Sequence, residues 1–381
     1  MHREIIIDTP EEKSARAELE KRTDAEALRM KRFLAMPDLS RTPGSPLYEI
    51  IQKALSAKSL DGFDIIKIPE IVPASVTFDL FNMPPGHPAR SKSDTYYVND
   101  ENILRTHDTV FWHYYLNLPE IKTKIAKGES FGVVCYGKVY RKDEIDNRHM
   151  NVFHQFGGGY MVPKTEKDTG AVWQEKLKEA LNDISHNLFG KDVKNRFNKD
   201  DFPYTDPSME MEIEKDGKWI EMLGCGVPRE SVLKNFGVDH YTGWWFGFGL
   251  ERLAMVSMSL PDIRLLWSQD ERVKKQLKLG NKFKEVSKYP AITRDISFVV
   301  PKTFIPNNYF DLIRDIVGDL AEEVTLLDKY ENDKKFGADK ISYAYHIVYR
   351  SIDRTLTVEE IEPLQNKVIE ETKKQFGAEI R

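Results

Sequence analysis

The stretch Thr242–Met255, TGWWFGFGLERLAM, constrains the fold of this chain more than any other. A strand-like run carrying Gly247 and Gly249 passes without a break into an amphipathic helix. A helix must therefore begin just after two positions where the backbone is bare. Glycine lets a second backbone or a flat ligand come close. Trp244 and Trp245, immediately upstream, do the reverse and fill space. One half of the segment makes room and the other removes it.

The 381 residues are enough for two or three domains. With 40% hydrophobic and 31% charged residues, the chain reads as globular, not disordered. No window approaches the roughly 18 apolar residues of a membrane span. The start, MHREIIIDTPEEKSARAELE, lacks the apolar core of a secretory signal and the Arg/Ser bias of a transit peptide. Cys135 and Cys225 sit in apolar strand contexts, which predicts two buried thiols in a reducing compartment. The expectation is a soluble intracellular protein of the cytoplasm or the mitochondrial matrix, with no membrane partner.

The net charge of -5 does not point to nucleic acid, but the charge is unevenly spread. Residues 262–288 hold eight Lys/Arg against four Asp/Glu, whereas residues 289–381 hold thirteen against seventeen. A polyanion would have to be held by local faces such as Arg350, Arg354, Lys373 and Lys374.

Several elements can be read in order. Thr9, Pro10 and Glu12 form a capping-box start for an exposed, charge-laced helix or helix pair. Ser45-Pro46 starts a helix through about Ala57, FDIIKIPEIV reads as a strand, and THDTVFWHYYLNL as a helix. FGVVCYGKVYR and NVFHQFGGGYMV read as a long antiparallel pair around a charged loop. Thr165 and Asp168 are placed to cap a helix whose apolar face carries Val172, Leu177, Leu181, Ile184 and Leu188. MEMEIEKDGKWIEMLGCG is a hairpin around Asp216-Gly217. After a basic linker the pattern restarts as β-α-β-β-α with a short last strand, and Ile341, Tyr343, Tyr345, Ile347 and Tyr349 alternate on one face. Antiparallel strands with grouped helices make this an α+β chain.

Common catalytic signatures are absent. There is no phosphate-loop motif, and Gly157 to Gly159 lack the lysine and the helix that such a loop needs. His149, His154, Cys135 and Cys225 fit no closed zinc site. Arg141 at the end of a strand and Arg252 at the start of a helix are guanidinium forks suited to polyphosphate, although a lone arginine is more often a surface ion pair. Glu210, Glu212 and Glu221 on the hairpin could offer carboxylates to Mg²⁺ or form a solvated strand face.

GKVYRKDEIDNRHMNVFHQF followed by GFGLERLAM resembles motifs 2 and 3 of the class II aminoacyl-tRNA synthetases, and in particular the phenylalanyl-tRNA synthetase family of the single-chain, mitochondrial type. PPGHPARSKSDTYYV, LRTHDT, DFPYTDPSMEMEI, EMLGCGV, PDIRLLW and KYPAITRDISF follow in the expected order, so the resemblance covers the chain from about Ser45 to the end. Beyond the helical extension read over 1–44, it implies a catalytic domain over 45–270 built on an antiparallel sheet, a linker over 271–288, and a ferredoxin-like (βαββαβ) anticodon-binding domain over 289–381. It also implies ATP and Mg²⁺ as cofactors, tRNA and phenylalanine as partners, and a monomer.

Carried across by position, the resemblance puts Arg141 on the α-phosphate of ATP, with Asp143, Arg148 and His149 from the motif 2 loop. Phe153 would stack on adenine, Arg252 would lie on its other face or near the γ-phosphate, and Glu221 would help hold Mg²⁺. Arg141 and Arg252 are thereby the catalytic pair. His107, Thr109 and Gln155 would hold the polar groups of the amino acid, and Phe202 and Tyr204 its ring.

Three positions depart from the family pattern. Trp245, beside Phe246 at the ring pocket, replaces a small residue; Gly157 replaces a carboxylate; and Trp112 replaces a Gln. The resemblance implies ATP-dependent aminoacylation of tRNA(Phe) through an aminoacyl-adenylate, with Gly157 to Gly159 making room for Trp245. Two other readings stay open: a remodelled pocket activating a smaller or modified amino acid, and a non-catalytic tRNA-binding paralogue.

Overall fold

Residues 2–215, 217–285 and 289–381 are described by a computed structural model; Asp216 of the expected hairpin turn and Val286 to Lys288 at the end of the expected linker lie outside the described residues. The chain divides into two units. One comprises Met1–Tyr140, Val152–Ser259 and Lys278–Asn281, and the other Arg141–Asn151, Leu260–Leu277 and Lys282–Arg381.

In the first unit, β1 (Glu4–Ile6) and β2 (Asp64–Lys67) precede a separate ribbon of β3 (Ile71–Pro73) and β4 (Asn102–Leu104). The longer strands follow: β5 (Phe131–Tyr140), β6 (Val152–Pro163), β7 (Asn195–Phe202), β8 (Thr205–Lys215), β9 (Lys218–Pro228) and β10 (Tyr241–Gly249). They form one sheet in the order β1-β2-β5-β6-β10-β9-β8-β7. Its first three strands run parallel and the rest pair antiparallel. The helices Pro46–Leu55, Gly170–Phe189 and Leu250–Met258 pack on one face. On the other face, one end carries a second core that includes Phe78, Phe81, Trp112, Tyr115 and Trp245.

The segment before residue 45 is more than an exposed helix pair. It supplies the edge strand β1, and its helices Pro10–Lys21 and Ala25–Ala35 bury Ala15, Leu19, Ala27, Met30 and Phe33. Thr9 does cap the first helix, its hydroxyl accepting from the Glu12 amide at 3.2 Å. Glu12 does not close a capping box, however: its carboxylate accepts from Arg16 and from the Glu70 amide instead. Glu70 in turn accepts from the Tyr140 hydroxyl at 2.6 Å and pairs with Lys138 at 3.0 Å. Burial pushes the Glu70 carboxyl up, but the Lys138 charge and the Tyr140 hydrogen bond outweigh it and hold it below the usual range. Lys138 also donates to the carbonyls of Leu34 and Met36 at the end of the second helix. The end of β5 is thus tied to the N-terminal helices immediately before Arg141.

Two local expectations are corrected. The helix Gly170–Phe189 is capped by Thr169, whose hydroxyl accepts from the Val172 amide. Thr165 and Asp168 close a turn of their own, and Asp168 also accepts from the Trp173 indole. Val172 is exposed, and Trp173 takes its place on the buried face. Cys135 and Cys225 are both buried and free, and burial pushes the Cys135 thiol up to about 12. Among the described residues, no helix is long and apolar enough to cross a membrane.

The second unit contains β11 (Ile292–Pro301), β12 (Ala321–Tyr330), β13 (Lys340–Tyr349) and β14 (Glu379–Ile380), in the order β12-β13-β11-β14. With the helices Pro306–Val317 and Val358–Phe376 this gives the β-α-β-β-α-β order of a ferredoxin-like fold. Ile341, Tyr343, Tyr345, Ile347 and Tyr349 are buried on one face of β13, as their alternation predicts, against Phe298, Tyr309 and Val368.

Candidate active site

Strands β6 and β10 pair Gln155 with Gly249, Gly157 with Gly247 and Gly159 with Trp245. Side chains alternate along a strand, so these residues share one face, with Phe153 two positions ahead of Gln155. Strand β9 adds Gly224 opposite Gly247. The middle of this face is therefore nearly free of side chains. A Cβ on Gly247 or Gly249 would meet no heavy atom within 4 Å among the described residues. A flat group can lie directly on the backbone there, which is the use of the two glycines. The Phe202 ring flanks the strip, lying over Gly224 and stacking on Tyr204 with centroids 5.7 Å apart.

The strip ends at Arg252. Its guanidinium pairs with the Glu221 carboxylate at 3.0 Å and donates to the Glu221 carbonyl at 3.2 Å, both side chains being about half exposed. The preceding residue, Glu251, is buried and fixed by His154: its carboxylate accepts from the His154 amide at 2.8 Å and meets Nδ1 at 2.6 Å. Since Nε2 accepts from the Leu39 amide at 3.0 Å, Nδ1 carries the proton and donates to Glu251. This lock joins the start of the Arg252 helix to the residue between Phe153 and Gln155. Glu251 could have been found in the sequence as the carboxylate beside Arg252 within the same motif.

The hairpin carboxylates are each engaged by a neighbouring side chain, Glu221 by Arg252. Glu212 lies opposite Glu221 in register but is engaged by Arg196 and Asn198, and Glu210 accepts from Asn198 at 3.1 Å. Among the described residues, no three His, Cys, Asp or Glu side chains are grouped to hold a metal ion.

At the far end the same face is crowded. A Cβ on Gly159 would lie 2.6 Å from Trp245 Cδ1 and 2.8 Å from Trp112 Cζ2. The two indoles are stacked, with centroids 4.9 Å apart and an interplanar angle of 23°. Both are buried, and neither indole nitrogen has a hydrogen-bond partner among the described residues. Two of the three sequence departures are thus one packing unit seated on Gly159. Phe81, which the sequence did not single out, meets Trp245, Tyr204 and His107 edge-on. Phe246 does not belong here. It sits on the opposite, helix-packed face with Phe156 and Phe248, because adjacent residues of a strand point to opposite sides.

The polar candidates lie between the two ends. His107 Nε2 is 3.2 Å from the Thr77 carbonyl, and Thr109 is half-buried in the short turn Asp108–Val110. Gln155 Oε1 accepts from the Asp108 amide at 2.9 Å. The Asp108 carboxyl group covers Gly157: a Cβ there would lie 2.5 Å from Asp108 Oδ2.

Arg141, Asp143, Arg148 and His149 lie in the β5–β6 connection, which belongs to the second unit. There Arg314 donates to the carbonyls of Asp143 and Glu144, Asn307 donates to the Lys142 carbonyl, and Asn151 donates to Asp311. Ile145 is buried in the core of that unit. Arg148 and His149 are exposed at the tip, where Asp146 accepts from both of their amides and from the His149 ring. Those bonds overcome partial burial and hold the Asp146 carboxyl below its usual range. The expected basic face of this unit is partly neutralised, since Arg350, Arg354 and Lys374 pair with Glu322, Glu360 and Glu371.

Comparison with known proteins shows the family. Residues 36–277 match the tRNA synthetases class II core domain (F), and residues 287–381 match the ferredoxin-fold anticodon binding domain. The phenylalanine–tRNA ligase, chloroplastic/mitochondrial, of Arabidopsis thaliana is 41% identical over 82% of this chain and 71% of its own length. The mitochondrial phenylalanine–tRNA ligases of Mus musculus and Saccharomyces cerevisiae are 36% and 32% identical, over 83% and 89% of this chain and 74% and 87% of their own lengths.

Proposed function

Because the chain belongs to the class II tRNA synthetases of the phenylalanine type, we infer that it joins phenylalanine to tRNA(Phe) at the expense of ATP, through an aminoacyl-adenylate. The observation that carries the inference is the bare strip at Gly247 and Gly249, which leads into Arg252 and is flanked by Phe202 and Tyr204.

The amino-acid carboxylate attacks the α-phosphorus and pyrophosphate leaves in line. Such a displacement needs orientation and charge stabilisation but no protein nucleophile. In this reading Arg141 binds the α-phosphate, Asp143, Arg148 and His149 border the nucleotide, and Arg252 takes the adenine face or the γ-phosphate. Phe153 supports the adenine. His107, Thr109 and Gln155 orient the amino acid, while Trp112, Tyr204, Phe202 and Trp245 surround its ring.

The family uses ATP with a divalent metal. Magnesium is usually held by one or two carboxylates together with phosphates and waters. The single half-exposed Glu221 beside Arg252 fits that use, and the ion would neutralise charge developing on the phosphates.

The functional division that goes with this reading is catalysis over 45–270 and anticodon recognition over 289–381, with 1–44 as an extension and 271–288 as a linker. Both modules share one chain, which supports a monomer, and relatives named as mitochondrial support the matrix as its place.

ATP–pyrophosphate exchange with each standard amino acid tests the reading. Exchange is expected with phenylalanine and with no other. Exchange only with a smaller amino acid, or with none, overturns it.

A further inference from the structure

We propose that Asp108 supplies the carboxylate that receives the α-ammonium group of the amino-acid substrate, in place of a side chain at position 157. The proposal rests on the amino-acid-activating reading above and concerns how that same site recognises its substrate.

An amino acid arrives as a zwitterion. Burying its ammonium group is costly unless an anionic or strongly polar acceptor receives it. Between the open strip and the indole pair, Asp108 is a buried carboxylate only 2% exposed. Its position is set by the backbone: its amide donates to Gln155 Oε1 at 2.9 Å, which fixes the turn against β6. The carboxyl group then lies flat on Gly157, where a Cβ would be 2.5 Å from Oδ2, 2.9 Å from Cγ and 3.0 Å from Oδ1. No side chain at 157 can coexist with this placement. Position 157 and Asp108 therefore compete for one space, and this chain fills it from the turn and not from the strand.

Cys135, which pairs with Gly157 across β5 and β6, has its thiol pushed up first by burial; the Arg105 charge opposes the rise and the Asp108 charge adds to it. Two positions along the same strand, Gly159 is covered by the Trp112–Trp245 pair. Consecutive positions of one strand face thus carry a carboxylate and an aromatic stack, the two elements that an ammonium-bearing aromatic substrate calls for.

The test is ATP–pyrophosphate exchange with the full chain, varying phenylalanine and ATP separately. Asp108→Asn keeps the shape and removes the charge. It is expected to raise the KM for phenylalanine on the order of 10- to 100-fold and to leave the KM for ATP unchanged. 3-Phenylpropanoate, which lacks the amino group, should inhibit wild type and variant equally. A variant with unchanged KM for phenylalanine, or with both KM values raised together, overturns the proposal.

A second variant guards against misfolding. Gly157→Glu alone should abolish folding or exchange, whereas Gly157→Glu combined with Asp108→Thr returns a carboxylate to the same space and should recover exchange. A folded double variant without exchange also overturns the proposal. If the wild type exchanges with an amino acid other than phenylalanine, the functional reading fails while the Asp108 comparison is made with that amino acid, since its ammonium group is the same. Exchange with none overturns both.

Discussion

At Gly247 and Gly249 a Cβ would meet no heavy atom within 4 Å, whereas at Gly159, on the neighbouring strand and the same sheet face, it would lie 2.5 Å from the Trp244 carbonyl oxygen. Both ends are built from glycine, for opposite reasons. At the open end glycine keeps space free for something that is not protein. At the crowded end it gives the space to the protein's own indoles. Residue type alone cannot separate the two uses; what neighbours the missing side chain can. If the contrast is real, changes at the crowded end should register mainly as stability, and changes at the open end mainly as use of ATP.

Trp245→Ala carries the largest expected effect. The side chain is buried and stacked on Trp112, so its removal leaves a cavity and should cost about 3–5 kcal/mol of unfolding free energy, read as a lower urea midpoint. If the protein remains folded, the new space should admit para-substituted phenylalanines in pyrophosphate exchange. A near-neutral result would mean that the indole pair is loosely held, and the crowded end would lose its meaning.

Arg252→Ala addresses the other end. Its pairing with Glu221 is half exposed, and such pairs contribute roughly 0–1 kcal/mol, so the urea midpoint should barely move. The loss should appear in kcat, on the order of 10²–10³-fold, as when one donor to developing charge is removed. A large stability loss with intact kcat would make Arg252 structural and would collapse the distinction.

The distinction also explains what could be read in the sequence. Long motifs in fixed order identify the sheet, the Gly-x-Gly strip and the ferredoxin-like domain, because these depend on local pattern. Carry-over by motif misplaces Phe246 because a motif is a string, while a strand puts neighbouring letters on opposite faces. Strand β7, NRFNKDDF, leaves no signal in the string, because it is an edge strand with no buried side chain and so has no apolar alternation. Asp108 was hidden for a different reason. The string shows only that position 157 is empty, and the residue that fills it comes from a turn 49 positions earlier and is brought there by folding. Likewise, Trp112 and Trp245 look like separate departures until stacking shows one unit.

The matched pair Gly159→Ala and Gly247→Ala gives the smallest changes and the sharpest contrast, since each adds a single methyl group. At Gly159 the methyl meets a backbone carbonyl and two ring atoms that are themselves packed, so it cannot be accommodated by one flexible side chain. Overpacking of this kind costs about 1–3 kcal/mol, and the urea midpoint should fall accordingly while the KM for ATP stays constant in whatever fraction is folded. At Gly247 the methyl enters open space, and alanine is if anything the better strand residue, by about 0.5–1 kcal/mol. Stability should therefore hold or rise slightly. The same methyl would stand where a flat base is to lie, so the KM for ATP should rise on the order of 10- to 100-fold. Equal effects of the two variants on stability would show that the two ends are alike. A Gly247→Ala enzyme with normal ATP use would move the nucleotide off this strip altogether, and the role read for the glycines before the Arg252 helix would fall with it.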